Sequence, residues 1–208
     1  MLSLDRYLED PCRRASIPYW KTQRVTLPED MRIVHEEEFR KADYPGWTDT
    51  PFFRLHCRLD VVERVAVPGI ELIPASEEHS ALIAELINRS YTDLSVTEQQ
   101  VRNFTRSPAY HPALWLLAVC GESGEAVGCA IGEYDRESGE ATLEWVQVLP
   151  RWRRQGVGRL MVSGLLLRMK EFAAFATVSG KQNDPTRPEM LYRACGFTGN
   201  DVWHILKR

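Results

Sequence analysis

From residue 70 to the C-terminus, apolar positions fall into blocks with clear periods. "GIELIP" is a short strand candidate. In "SEEHSALIAELINRSY", Leu82, Ile83, Leu86 and Ile87 recur at helical spacing behind Ser76, a capping residue. "SVTEQQVRNF" predicts a second helix, with Ser95 and Glu98 at the spacing of a capping box. Three strands follow, "ALWLLAVC", "AVGCAIGEY" and "ATLEWVQVL". The polar turns "GESGE" and "DRESGE" separate them, as antiparallel hairpins require. "GVGRLMVSGLLLRMKEF" predicts a helix with Val157, Leu160, Met161 and Leu165 on one face. "FATVSG" reads as a strand. "TRPEMLYRACGF" predicts a last helix, with Thr186 and Glu189 at capping-box spacing and Gly196 placed to end it. "DVWHILKR" closes as a strand. The order β-α-α-β-β-β-α-β-α-β predicts an α/β (mixed α+β) fold: a mixed, mostly antiparallel sheet flanked by helices.

The first 68 residues follow a different pattern and predict a small α+β extension, divided from residues 69–208 at Pro68-Gly69. "LDRYLEDP" predicts a short helix stopped by Pro11, and "MRIVHEEEF" a strand. In "PFFRLHCRLDVV", Phe53, Leu55, Cys57 and Leu59 alternate with Arg54, His56 and Arg58, the period of a half-buried strand. "SIPYW" and "DYPGW" cluster aromatics, either as the core of a subdomain or as a surface that holds an amine. Glu36, Glu37 and Glu38 form a solvated face or a weak attractor for a cationic amine. The extension is a candidate lid or dimerisation element.

Composition narrows the function classes. A formal net charge of −3 gives no overall basic surface for nucleic acid. No apolar run approaches the roughly 20 residues of a membrane span, and the acidic start "MLSLDRYLED" does not resemble a signal peptide. Cys12, Cys57, Cys120, Cys129 and Cys195 show no metal spacing, so they read as reduced thiols of a cytoplasmic protein, with no metal expected. Cys195 reads as a core residue.

The chemistry concentrates in "LEWVQVLPRWRRQGVGRLM", Leu143 to Met161. By strand alternation Leu143, Trp145, Gln147 and Leu149 point one way, and Glu144, Val146 and Val148 the other. Pro150 ends the ladder. A helix then begins, and its first N–H groups lack intrahelical partners and carry partial positive charge. Gly156 and Gly158 remove the Cβ atoms that would keep a bulky anion away. Arg153, Arg154 and Arg159 add charge, so a phosphate or pyrophosphate suits the turn. No Lys-Ser/Thr follows Gly158, as a P-loop needs, and Met161 stands where the Rossmann fingerprint has its third glycine. Neither ATP hydrolysis nor NAD binding is favoured.

Arg153-Arg154-Gln155-Gly156-Val157-Gly158 resembles the Arg/Gln-x-x-Gly-x-Gly/Ala signature of the GNAT superfamily of acyl-CoA-dependent N-acetyltransferases. Val148-x-Pro150-x-x-Arg153 matches that family's strand exit, and Asn183, Leu191, Tyr192, Gly196 and Phe197 match its second recurrent element. The resemblance runs from about residue 70 to the end. It implies acetyl-CoA as donor, with the pyrophosphate on the N–H groups of Gln155 to Arg159, including Val157. It implies a donor surface that also takes in Val146, Gln147, Val148, Arg153, Arg154 and Asn183. Val146 and Val148 would pair through their backbone with the pantetheine arm and the acetyl carbonyl. It implies Tyr192 as general acid to the departing thiolate, against the simpler reading of a packing tyrosine. Pro188 departs from the small residue common in that helix, which bears on the Asn183 contact.

Glu144 is the candidate general base, against a solvent-facing strand glutamate. His79, His111 and His204 read as surface or loop residues. The resemblance implies direct attack by the amine in a ternary complex, with the Val146 N–H on the oxyanion. The acceptor is a small-molecule amine or an exposed protein amine. The alternative is a non-catalytic acyl-CoA sensor or interaction domain on the same fold.

Overall fold

The computed structural model describes residues 2–91 and 94–208. Its helices are α1 (Leu4–Glu9), α2 (Pro11–Arg14), α3 (Tyr19–Arg24), α4 (Ser80–Ser90), α5 (Glu98–Phe104), α6 (Val157–Met169) and α7 (Pro188–Ala194). Its strands are β1 (Met31–His35), β2 (Thr48–Cys57), β3 (Ile70–Pro74), β4 (Tyr110–Cys120), β5 (Ala126–Asp135), β6 (Glu140–Val148), β7 (Phe175–Lys181) and β8 (Thr198–Lys207). The expected element order from residue 70 is present throughout, in a mixed α+β chain of mostly antiparallel strands flanked by helices. The chain forms two compact units, Met1–Cys57 with Thr177–Arg208, and Arg58–Ala176.

In the 58–176 unit the strand order is β6-β5-β4-β3, antiparallel at each step. One face carries Trp115, Leu117, Cys129 and Ile131, which pack with Ile83, Leu86 and Ile87 of α4 and Val101 of α5. The opposite face receives α6. There, Cβ atoms added at Gly128 and Gly132 would meet the Met161 and Met169 side chains at 3.1 and 2.7 Å. A Cβ at Gly164 in α6 would meet Leu72 at 2.4 Å. Three glycines thus set how closely helix and strands approach.

Alpha-6 is buried well beyond the single face predicted, from Leu160 to Leu166 without a break. The segment before β3 supplies the extra cover. Ser163 Oγ donates to the Glu63 carbonyl and accepts from the Val65 N–H at 3.3 Å, and Lys170 donates to the Asp60 carbonyl at 2.7 Å.

Ser76 caps as expected, opening a short 3-10 turn before α4. The second capping box is not at Ser95 and Glu98 but at Thr97 and Gln100. Asn88 explains the shift. Its side-chain amide brackets Val96, accepting from the N–H and donating to the carbonyl at 2.8 Å each, and so holds residue 96 outside the helix.

In the other unit the order is β1-β8-β2-β7, with β8 antiparallel to both β1 and β2. Phe53, Leu55 and Cys57 are buried as the alternation predicts; Leu59, buried too, lies past the end of β2 in the 58–176 unit. Arg54, expected on a solvent face, is only 1% exposed. Helices α1 and α2 cover that face. The guanidinium donates to the Tyr7 hydroxyl at 3.1 Å, the Pro11 carbonyl at 3.2 Å and Ser179 Oγ at 3.3 Å. Pro11 does not merely stop α1; it opens α2 at the position where a missing N–H costs nothing. Tyr19, from the "SIPYW" cluster, stacks on Tyr7 at 5.1 Å and belongs to the core, on a helix the sequence pattern did not show. Glu36, Glu37 and Glu38 are exposed, and Glu37 pairs with Arg13.

The expected Thr186–Glu189 box at α7 does not form. Thr186 gives its hydroxyl and N–H to Asp184 Oδ1 at 2.6 and 2.8 Å, and Pro188 opens the helix instead. The C-terminal end follows the prediction. Gly196, at φ +95°, allows the Phe197 N–H to reach the Tyr192 carbonyl at 3.2 Å and its own N–H to reach Arg193 at 3.1 Å. The Phe197 and Tyr192 rings meet at 5.8 Å, completing a Schellman motif.

Arg54→Ala removes the hydrogen bonds to Tyr7, Pro11 and Ser179 and leaves buried acceptors unmatched. It is expected to destabilise this unit by about 3 kcal/mol, against about 1 kcal/mol for Tyr7→Phe, which removes the Arg54–Tyr7 bond but keeps the ring. Urea unfolding of both variants measures the difference.

Candidate active site

Strand β6 is regular from Trp145 to Val148 and irregular just before. Ile131 pairs with Trp145 but Gly132 pairs with Leu143, so Glu144 is an extra residue, a β-bulge. Ile131 and Gly132 lie on opposite faces of β5, so Trp145 and Leu143 do too. The simple alternation from Leu143 to Leu149 is therefore corrected: Leu143 lies on the α6 face. Bulges re-aim side chains, and this one falls on the candidate base. Glu144 is half-buried.

The backbone of β6 has a definite polarity. The Leu149 N–H donates to Val127 of β5 at 2.9 Å. Amide directions alternate along a strand, so Gln147 and Trp145 also face β5. Val146 and Val148 turn their N–H and C=O groups away from β5. One of these is already engaged, since the Val148 carbonyl accepts from Arg153 Nε at 3.0 Å.

After β6, Pro150 to Trp152 make one 3-10 turn and the chain coils into α6. Arg154 and Gly156 both take left-handed backbone conformations, at φ +63° and +86°. Gly156 is the N-cap of α6, and no side chain caps the helix there. The N–H groups of Val157, Gly158 and Arg159 are the first of the helix, an anion-binding arrangement with no competing side-chain acceptor. Gly158 is half-buried, and Gln155 donates its amide to the Arg151 carbonyl at 2.8 Å.

The arginines divide by task. Arg151 pairs with Glu125, whose carboxyl is held below its usual range, first by that hydrogen bond. Arg153 bonds the Val148 and Ser90 carbonyls, each at 3.0 Å. Arg159 meets Glu63 at 2.6 Å. Arg154 is exposed on the left-handed turn. A candidate anion site at this turn would therefore rest mainly on backbone N–H groups.

Asn183 and Tyr192 belong to the other unit. Asn183 is exposed at φ +59°, a conformation asparagine tolerates. Tyr192 is 8% exposed, with Phe53 at 6.2 Å and Phe197 at 5.8 Å between ring centroids. A small cavity in that unit is lined by Leu55, Gln182, Glu189, Arg193 and Asp201. Its arginine is already held by Glu189 and the Gly199 carbonyl, each at 2.8 Å.

The histidines have local tasks. His79 caps at Ser76, His111 stacks on Phe172 at 4.1 Å, and His204 stacks on Phe39 at 3.8 Å beside Asp49. Cys195, expected in the core, is half-buried, because it sits at the exposed C-cap of α7. Among the described residues no cluster of His, Cys, Asp or Glu could hold a metal, and no helix is long and apolar enough to cross a membrane.

Residues 113–199 match the model of the acetyltransferase (GNAT) domain. Over those residues, 113–199, the chain is similar to GNAT acetyltransferase domains. Solved structures with the GNAT fold align over most of it. A GCN5-related N-acetyltransferase from Sphaerobacter thermophilus superposes with a TM-score of 0.73 at 18% identity, over 86% of this chain and 58% of that one. One from Kribbella flavida gives 0.59 at 19% identity, over 85% and 67%. The ribosomal-protein-S18-alanine N-acetyltransferase from Escherichia coli gives 0.53 at 18% identity, over 66% and 91%. The chain thus spans little more than half the length of the Sphaerobacter protein. No curated protein matches it. The matched GNAT region holds β6, its bulge, the Gly156 turn and Tyr192.

Two outcomes are expected for this region. Gly156→Ala forces a side chain into a left-handed conformation and places its Cβ 3.2 Å from Val67 Cγ2. It should cost about 1–2 kcal/mol in urea unfolding. Burial pushes the Cys129 thiol up to about 12 from 9.0, favouring the protonated form in the fold. Stability from that burial is present below about pH 9 and lost as pH rises toward about 12, as the unfolded thiol ionises first. Cys129→Ala should flatten this alkaline limb, measured as stability against pH.

Proposed function

We propose that the chain is an acetyl-CoA-dependent N-acetyltransferase. The observation that carries this reading is the uncapped start of α6 behind Gly156, following a strand whose Val146 and Val148 amides face away from β5. The donor pyrophosphate is held by the N–H groups from Gln155 to Arg159, supplemented by the Arg154 charge. The pantetheine arm pairs with the outward backbone of β6. On this reading residues 69–208 are the catalytic domain, and residues 1–68 are an extension to it.

The acceptor is a primary amine. One structural neighbour is named for acetylating an alanine of a ribosomal protein, and a protein amine is among the acceptors this scaffold serves. Glu144 takes the proton that an ammonium must lose before it attacks. The amine nitrogen then bonds the thioester carbon, and the Val146 N–H steadies the oxyanion. As the C–S bond breaks, the Tyr192 phenol gives its proton to the thiolate, and the second proton shed by the attacking nitrogen as it becomes the amide restores the phenol through solvent. The products are an amide and free coenzyme A, with no covalent enzyme intermediate.

Calorimetry with acetyl-CoA tests the donor half, and no binding at high micromolar concentration would sink it. Binding without acceptor-dependent thiol release across an amine panel would mark a sensor instead. Tyr192→Phe should lower kcat by about a hundredfold while leaving acetyl-CoA affinity nearly unchanged. Unchanged turnover would remove Tyr192 from the acid role.

A further inference from the structure

Arg153 and Gln147 stand in the stretch that suggests donor contacts, yet their side chains point their donors elsewhere. Arg153 bridges two carbonyls from distant parts of the chain: Val148 at the end of β6 and Ser90 at the end of α4. Gln147 is 3% exposed and donates its amide to the Tyr91 hydroxyl at 3.3 Å. Its carbonyl oxygen accepts from the Cys129 thiol at 3.5 Å, which orients the amide. The Tyr91 ring meets Trp145 edge-on at 6.4 Å, and Phe104 stacks on Trp145 at 6.2 Å. Trp145 is the residue after Glu144. Farther along, Asn88 brackets Val96 with two hydrogen bonds of 2.8 Å. Ser90 and Tyr91 are therefore tied to β6 and its exit, and Val96 to α4.

We propose that Arg153 and Gln147 are positioning residues for the acceptor side of the reaction, acting through the Ser90–Tyr91 segment and Trp145 beside Glu144. This rests on Glu144 being the base. A group that deprotonates the incoming amine must be approached by that amine, so the surface around Glu144 and Trp145 is the acceptor's wall. The guanidinium fork holds the start of that wall against the same strand that carries the base. A lysine at 153 keeps the charge but has no planar fork with which to hold two carbonyls at once.

The test uses the full chain with Arg153→Lys, Arg153→Met and, as a milder variant, Tyr91→Phe, which removes only the Gln147 tie. Three readouts are compared with wild type: acetyl-CoA affinity by calorimetry, amide hydrogen exchange in residues 88–91 and 94–97, and acceptor KM and kcat for whichever amine of the panel is turned over. Both Arg153 variants should keep acetyl-CoA affinity within about threefold and speed exchange in those residues by about tenfold. Acceptor KM should rise by more than kcat falls, with Tyr91→Phe showing a smaller change in the same direction. If Arg153→Met loses acetyl-CoA affinity while Arg153→Lys keeps it, and exchange is unchanged in both, the side chain serves the donor and the inference is overturned. Faster exchange with acceptor KM unchanged also overturns it, leaving the ties merely structural. A wild-type chain that binds no acetyl-CoA fails the donor reading by itself, and the exchange measurement still reads the ties.

Discussion

The close approach of α6 to its strands is the constraint on which the 58–176 unit depends. Gly128 and Gly132 on β5 and Gly164 on the helix leave space that any side chain would fill. With the helix seated this deeply, its N-terminus lies a fixed distance from the end of β6. The eight residues from Leu149 to Gly156 must bridge that short gap, and they do so with one 3-10 turn and two left-handed residues. A helix start reached through a left-handed glycine presents its N–H groups without a capping side chain. The anion-binding geometry is thus a consequence of how the helix packs, as much as of the loop's own sequence.

The same packing explains the arrangement of charge. A cluster of four arginines suggests a positive patch, but three are matched locally: Arg151 by Glu125, Arg153 by carbonyls and Arg159 by Glu63. Exposed charge pairs contribute little and are screened by salt. Oriented backbone N–H groups do not reorganise, and their effect is local. A phosphate recognised mainly by such groups is recognised by shape and spacing. That fits a site defined by two glycines better than one defined by net charge.

Features set by residues close in sequence were legible without coordinates. The strands and helices from residue 70, the Ser76 cap and the Gly196 stop all follow from local periodicity and turn chemistry, and the Gly196 stop also fixes the backbone around Tyr192. What escaped was nonlocal. The bulge at Glu144 is a mismatch between β5 and β6, and neither strand shows it alone. Arg54 looks solvent-facing until α1 and α2 cover it. Thr97 displaces Ser95 as the cap because Asn88 reaches Val96.

These nonlocal features bear directly on the chemistry. Strict alternation would put Glu144 on one face with Val146 and Val148 by parity alone. The bulge breaks that parity, so the carboxylate's direction follows from the local distortion and is adjustable independently of the strand's hydrophobic register. The packing of Trp145 and Gln147 against the α4–α5 side stays intact, because the register from Trp145 onward is regular. A strand that must both bury one face and aim a single polar group benefits from one extra residue at that point. The motif marks the turn with the exposed helix N–H groups, whereas the bulge and the Arg153 and Gln147 ties shape the strand and its surroundings on the Glu144 side. A short sequence signature at that turn therefore cannot contain the contacts around Glu144, because they join β6 and its exit to Ser90 and Tyr91, far away in the chain.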